Sequence, residues 1–314
     1  LLSYLCAYYR YYYPYEFVTA SLNCATSPDH IQTGTAIAKE YGVKISPPVF
    51  GASSAEYAFN KEEHIIAKGV ATVKYLNADV AKQLYDLYPN IDHKYFNRTI
   101  NRIVNETSTN SRQIEILIKV NYFKMYGNED TLLAIYEMCD DLKYGSMRTI
   151  KKDSPLFDKY PALRDFAEKH FVGVNDKGQQ LKTYTVKDLD KAMDILEASI
   201  KDRKFPDWTY KQIIEVQEEY LNYVDLITNN PDDRTKLFVH DVHPLVSQYS
   251  KNKEPWGYAI FTRSIGTGKE GRITVRSNIY NRNPISKSSV IQLNRNDLYK
   301  DKNYWNAVRY QILA

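Results

Sequence analysis

Cysteine is scarce in this chain: Cys6, Cys24 and Cys139 are the only three, an odd number without metal-ligand spacing. The scarcity argues against a disulfide framework and for a reducing compartment, with the three thiols read as buried small hydrophobes. No apolar run approaches the roughly 20 residues that cross a bilayer. No charged, apolar, small-residue leader opens the chain either, so the expected location is cytoplasmic and no membrane partner is expected. Methionine is missing at the start: the chain begins at Leu1 inside a predicted helix, as the later part of a larger polypeptide would.

Chemical motifs are also thin. Asp140-Asp141 and Asp232-Asp233 are adjacent doublets whose side chains diverge on a helix, so they read as surface or turn residues and not as a metal clamp. His240 and His243 in HDVHP lack a third ligand and read as loop or helix-cap residues. SIGTGKEG lacks the full phosphate-loop spacing, since Glu270 follows Lys269, and reads as a hairpin turn.

What is abundant is tyrosine and, locally, positive charge. The 28 tyrosines in 314 residues suit half-buried sites and binding surfaces equally, so their number alone selects neither. Residues 251–314 carry a net +8 against a whole-chain +4, which leaves −4 on residues 1–250. That basic module, interleaved with aromatics, is a candidate for nucleic-acid contact, the other reading being a solubilising surface.

Periodicity assigns a helix to residues 1–13, with Leu1, Leu5, Tyr8 and Tyr12 on one packing face and Pro14 ending it. A second helix starts at Pro14 and a third spans residues 28–41 with Gly42 as its cap. KEEHIIAKGVATVKYLNADVAKQLYDLYP reads as two short helical elements joined at KYLN, with Asn77 as N-cap of the second and Pro89 as its stop. Further helices are expected at 92–105, 111–122 and 129–140, then a turn at Tyr144-Gly145-Ser146 and a boundary at KKDSP. Two longer stripes follow. Leu189, Met193, Leu196 and Ile200 form one, preceded by a capping box from Thr185 to Asp188; Ile213, Val216, Tyr220, Val224 and Ile227 form the other. From Trp256 the period becomes two, and WGYAIFTR, SIGTGKEG and RITVR predict a β-hairpin.

Three stretches taken in order, SYLCAYYRYYYPYEFVTASLN, AIAKEYGVKISPPVFGASSAEYAF and HIIAKGVATVKYLNADVAKQLYDL, the last continuing to LIKVNYFKMYGNEDTLL, resemble the alpha subunit of bacterial DNA polymerase III, the C-family replicative polymerase. The resemblance covers residues 1 to about 135. It implies a mainly α chain with a small all-β C-terminal domain: late fingers helices at 1–48, a tandem helix-hairpin-helix region at 49–150, a helical insertion at 151–250, and a basic OB-like barrel at 251–314.

The function so implied is part of a DNA-directed DNA polymerase that holds primer-template duplex and guides single-stranded template; the alternative is a stand-alone DNA-binding accessory protein without polymerase activity. Nucleotide addition, and the magnesium it uses, would belong to the palm of the remaining polymerase segment, so no cofactor is expected of this one. Arg10 and Tyr13 match positions near nucleotide and template. Lys74, Tyr75 and Asn77 fall at the first hairpin, Lys124 and Gly127 at the second, where backbone amides would meet phosphate. The family's glycine-hydrophobic-glycine tip is replaced at the first by Tyr75-Leu76-Asn77. Arg263, Lys269, Arg272 and Arg276 with Trp256, Tyr258 and Phe261 would line the groove of the OB-like module, the other reading being that half of these aromatics fill its core. QLYDLY at 83–88 resembles the peptides that grip a sliding clamp, making a clamp a further candidate partner, although such peptides bind extended and this one lies in a predicted helix.

Overall fold

Proline and glycine punctuate the first helices as their backbone chemistry dictates. Pro14 occupies the first position of a new helix, where its missing amide costs nothing, and Gly42 adopts φ 72° just past the third. The computed structural model describes residues 2–314 except 26, 63, 148, 162, 164–170, 175–176, 187, 222–223, 225, 227–229, 248, 250–252 and 302–303. Leu1, Ile227 and the expected start of the basic module at residue 251 therefore lie outside the described residues. The chain divides into two compact units, Leu1–Asp207 and Trp208–Ala314.

In the first unit, α1 (Leu2–Tyr12), α2 (Pro14–Asn23) and α3 (Pro28–Glu40) precede a three-stranded sheet of order β1-β3-β2, formed by Lys44–Ser46, Ala58–Asn60 and Ile65–Ala67. Val18, Leu22, Ala38, Val43, Tyr57 and Ile66 make its core. A helical array follows: α4 (Ala78–Leu87), α5 (Phe96–Glu106), α6 (Ser111–Lys119) and α7 (Glu129–Asp141). Leu84, Phe96, Ile100, Ile103, Ile114, Leu117, Leu132 and Ile135 are wholly buried among them. Asn77, Asn110 and Asn128 each accept a backbone amide of the helix they start, the last two beginning α6 and α7.

The chain is mixed α/β, which corrects the mainly α expectation. HIIAKGVATV forms strand β3 and a single 3₁₀ turn instead of a helix, as its β-branched residues favour. The segment read as a helical insertion carries a second sheet of order β4-β6-β5, from Thr149–Lys151, Phe171–Val174 and Gln180–Val186. Thr185 is in β6 and not at a helix start; Asp188 is the N-cap, its carboxylate accepting from Lys191 N at 3.3 Å. A single helical turn, α8 (Leu156–Lys159), precedes β5, and α9 (Leu189–Lys201) packs on α5 and α7 with Leu189, Met193, Leu196 and Ile200 buried as its stripe requires.

Two further corrections concern exposure. No residue of α1 is buried, so Leu5, Tyr8 and Tyr12 do not form the expected packing face. Cys6 on that helix and Cys24 at the end of α2 are exposed, and only Cys139 is buried, where desolvation pushes its thiol well up.

The second unit opens with α10 (Tyr210–Leu221), which buries Ile214 and Leu221 and leaves Ile213, Val216 and Tyr220 half-buried; it ends before Val224. Seven strands follow: β7 (Lys236–Val246), β8 (Pro255–Ser264), β9 (Glu270–Arg276), β10 (Val290–Gln292), β11 (Leu298–Asp301), β12 (Tyr304–Ala307) and β13 (Gln311–Ile312). They form one curled sheet in the order β11-β12-β9-β8-β7-β10-β13. The predicted β8-β9 hairpin is present. HDVHP lies inside strand β7, at a bulge between Val239 and Asp241, and not in a loop or cap. Val239, Ile260, Ile273, Val275 and Ile291 centre one core cluster, and Ile214, Phe238, Ile265 and Val290 form another. Since neighbours on a strand face opposite ways, Phe238 and Val239 pack on opposite sides of β7. α11 (Ser277–Tyr280) follows β9 directly.

Candidate nucleic-acid interface

The turn at residues 73–77, expected as the first hairpin, joins a 3₁₀ turn to α4 and is held by α6. Leu76 N donates to Val73 O at 3.1 Å to close the turn, and Asn77 Oδ1 accepts from Val80 N at 2.8 Å to start α4. Tyr75 between them adopts φ 70°, a left-handed conformation unfavourable for a residue with a β-carbon. Gln113 Nε2 donates to Tyr75 O at 2.9 Å, and Gln113 is itself fixed by reciprocal bonds with Asn110 in the capping box of α6. The next residue back, Arg112, lays its guanidinium 3.9 Å from the Tyr75 ring centroid, and Lys74 Nζ lies 5.3 Å from it. Lys74, Tyr75 and Arg112 are all exposed, and the first turn of α6 holds no acid. The result is a cationic ledge around one aromatic ring.

The second hairpin has the opposite electrostatics. Tyr122 and Phe123 are buried, and Tyr122 O accepts from Phe50 N, leaving Lys124 exposed beside them. Gly127 leads into Asn128, whose side chain caps α7 and donates to Phe205 O at 3.0 Å. The first turn of α7 then carries Glu129 and Asp130. Carboxylates there oppose a phosphate at the helix start. Burial, with weaker repulsion from Asp207 and Asp130, pushes the Glu129 carboxyl up despite a backbone hydrogen bond that lowers it.

Arg10 on α1 and Tyr13 just before α2 are both exposed. Arg10 Nε donates to Tyr41 Oη at 3.4 Å, and its guanidinium stands 3.9 Å from Glu40, so part of its charge is answered within the fold. Tyr13 precedes α2 without a side-chain capping bond.

On the hairpin β8-β9, residues paired across the ladder share a face. Phe261 stands opposite Arg272 and Asp241, Arg263 opposite Glu270, and Gly257 opposite Arg276. Phe261, Arg263, Arg272 and Arg276 are therefore brought together. Arg272 Cζ lies 5.7 Å from the Phe261 ring, which also has His243 at 5.3 Å and His240 at 6.1 Å. His243 Nε2 is 2.7 Å from Asp241 Oδ2, and that bond holds the Asp241 carboxyl below its usual range. Arg263 is bridged to Glu270 at 3.1 Å, and the side chains of Arg272 and Arg276 are exposed. Trp256 and Tyr258 fall on the other face, where Tyr258 stacks on Tyr280 at 3.7 Å beside the core. Lys269 is exposed in the turn, its amide donating to Thr267 Oγ1.

The remaining motifs are spent on folding. Within QLYDLY, Gln83 Oε1 accepts from Ser108 and Leu84 is wholly buried. Asp141 accepts from Lys159 Nζ at 2.6 Å and Tyr160 Oη at 2.7 Å, and Asp233 pairs with Lys236 at 2.7 Å. Asp188 and Asp190 have the spacing of a paired-carboxylate motif, but Asp188 is the cap of α9. Among the described residues no three His, Cys, Asp or Glu side chains gather as metal ligands would.

Arg112 and the two histidines around Phe261 were not singled out as binding residues. Arg112 carries a weak local signal, as a cation in a first turn without acids, but its meeting with Tyr75 across 37 positions has none. No protein-family model matches the chain, and no curated protein is significantly similar to it.

Proposed function

We propose that this chain holds DNA for a replicative polymerase of the polymerase III alpha type. In this reading the basic unit tracks single-stranded template and the first hairpin contacts nucleic acid near the primer-template junction. Nucleotide addition with magnesium falls to a palm-bearing polymerase segment.

The observation that carries the reading is the face of β8-β9, where Phe261 lies beside Arg272 with Arg276 on the same side. Single-strand binders combine backbone-tracking cations with rings on which bases stack. The curled sheet and its basic aromatic face support an OB-like role, although its seven strands exceed the five of that barrel. The ordered resemblance of residues 1–135 supports the polymerase context.

The stand-alone accessory reading is favoured by one feature, the possession of its own hydrophobic core by the basic unit. Titration of the chain with labelled single-stranded and primed duplex DNA over a salt series tests both. Phosphate contact gives a log affinity that falls linearly with log salt. A polymerase part prefers the primed junction, whereas an accessory strand-binder does not. Absence of binding at low salt overturns both.

A further inference from the structure

The tip of the first hairpin is built unlike a duplex clamp. A hairpin that grips duplex phosphates carries glycine there, because backbone amides must come close to the phosphate oxygens. This chain places Tyr75 at that point with φ 70°, and Gln113 holds it in place through its carbonyl. A bulky ring is kept where close backbone approach needs none.

Tyr75 is 47% exposed, with the Arg112 guanidinium 3.9 Å from its ring centroid and the Lys74 ammonium 5.3 Å away. Among the described residues neither cation has a carboxylate within ion-pair distance. In a duplex the base faces are stacked on one another, so only phosphate and sugar would meet this ledge and the ring would have no partner. An unpaired nucleotide offers both parts of the complement. Its base stacks on a tyrosine ring or an arginine plane, and its phosphate meets the ammonium and guanidinium groups.

We propose that Lys74, Tyr75 and Arg112 form a binding site for an unpaired nucleotide, with the base on the Tyr75-Arg112 stack and the phosphate on the two cations. The site belongs to the first unit, whereas the sheet face belongs to the second. The inference rests on the nucleic-acid reading above, and it changes the ligand of this hairpin from duplex backbone to an unpaired strand.

The test uses the full chain and three labelled ligands: a thymine oligonucleotide, an abasic oligonucleotide of equal length, and a blunt duplex. Tyr75→Gly removes the ring at a position whose backbone suits glycine, so folding is retained, as a thermal melt verifies. It is expected to weaken the thymine ligand about tenfold and to leave the abasic and duplex ligands unchanged. Arg112→Lys, which keeps the charge and loses the plane, is expected to weaken the thymine ligand severalfold. If Tyr75→Gly binds all three ligands as the unsubstituted chain does, or loses duplex and thymine binding equally, the unpaired-nucleotide site is overturned while DNA binding stands. If no ligand binds the unsubstituted chain at low salt, the broader reading falls with it.

Discussion

The carboxylate of Glu197 accepts both the backbone amide and the side-chain amide of Asn97, at 2.8 and 2.7 Å. It also takes the Phe96 amide at 3.0 Å, and Lys201 closes on it at 2.6 Å. These are first-turn amides of α5 that have no partner within their own helix, so an acid on α9 acts as a cap from a hundred residues away. Glu197 and Asn97 are both wholly buried. Glu197→Ala should cost about 3 kcal/mol in urea unfolding of the chain, because three donors lose a charged acceptor away from water. Glu197→Gln should cost less than the alanine change. Equal stability of all three proteins would mean that the cap is dispensable.

That junction shows what the sequence could and could not convey. Features written within one turn or one hairpin were legible: the Asn77 cap, the buried stripe of α9, and the β8-β9 pairing. Features that need distant partners were not. Strands β4 and β6 are separated by some thirty residues, and the three residues of β4 are too few to show a period. Strand β7 was hidden because its charged and histidine positions break the apolar alternation. At the candidate site, Tyr75 and the arginines of β9 were visible as residue types. The face each one shares depends on register, which periodicity alone does not set.

Gly69 offers a test of packing without conformational strain. Its φ is −71°, ordinary for any residue, yet a β-carbon there would stand 2.3 Å from Ala55 O and 2.5 Å from the Glu56 backbone. Backbone cannot yield as a flexible side chain can. Gly69→Ala should therefore destabilise the chain by about 2–3 kcal/mol, read as a lower urea midpoint at unchanged slope. A neutral substitution would show that the 55–56 loop moves freely away.

Glu129 makes a pH prediction with a defined sign. Its folded carboxyl is pushed above the ordinary glutamate value, chiefly by burial. The folded state therefore holds this proton more tightly than the unfolded chain does. The associated stability is fully present below the unfolded pKa and is lost as pH rises through the raised folded value. Glu129→Gln should remove that component, so unfolding midpoints of the two proteins should diverge as pH rises out of the carboxylate range, with the variant the more stable. A difference that stays constant with pH would contradict the shift.

On the sheet face, ring and charge should separate cleanly. Phe261→Ala is expected to weaken single-strand binding by about 1–3 kcal/mol while leaving the salt slope in place. Arg276→Ala should instead reduce the slope by about 0.7, the contribution of one contact to a single strand. Anisotropy titrations over a salt series measure both. The opposite face provides the control: Tyr258 lies against Tyr280 and the core, so Tyr258→Ala should lower the melting temperature more than Phe261→Ala does. Salt slopes that no arginine substitution alters would remove the case for phosphate contact there.

The tyrosine block at the start of the chain now bears on surface chemistry more than on packing. Tyr4 is 70% exposed and Tyr11 79%, on a helix of eleven residues with nothing buried. Side chains in that state add little to folding, so Tyr4→Ser and Tyr11→Ser together should shift unfolding free energy by no more than about 0.5 kcal/mol each. Apolar ring surface is a different quantity, and a contiguous exposed patch binds hydrophobic dyes. The double substitution should therefore lower dye fluorescence of the native chain while leaving its urea midpoint in place. A large stability loss would mean that these rings pack in solution, whereas unchanged fluorescence would mean that the helix presents no continuous apolar surface.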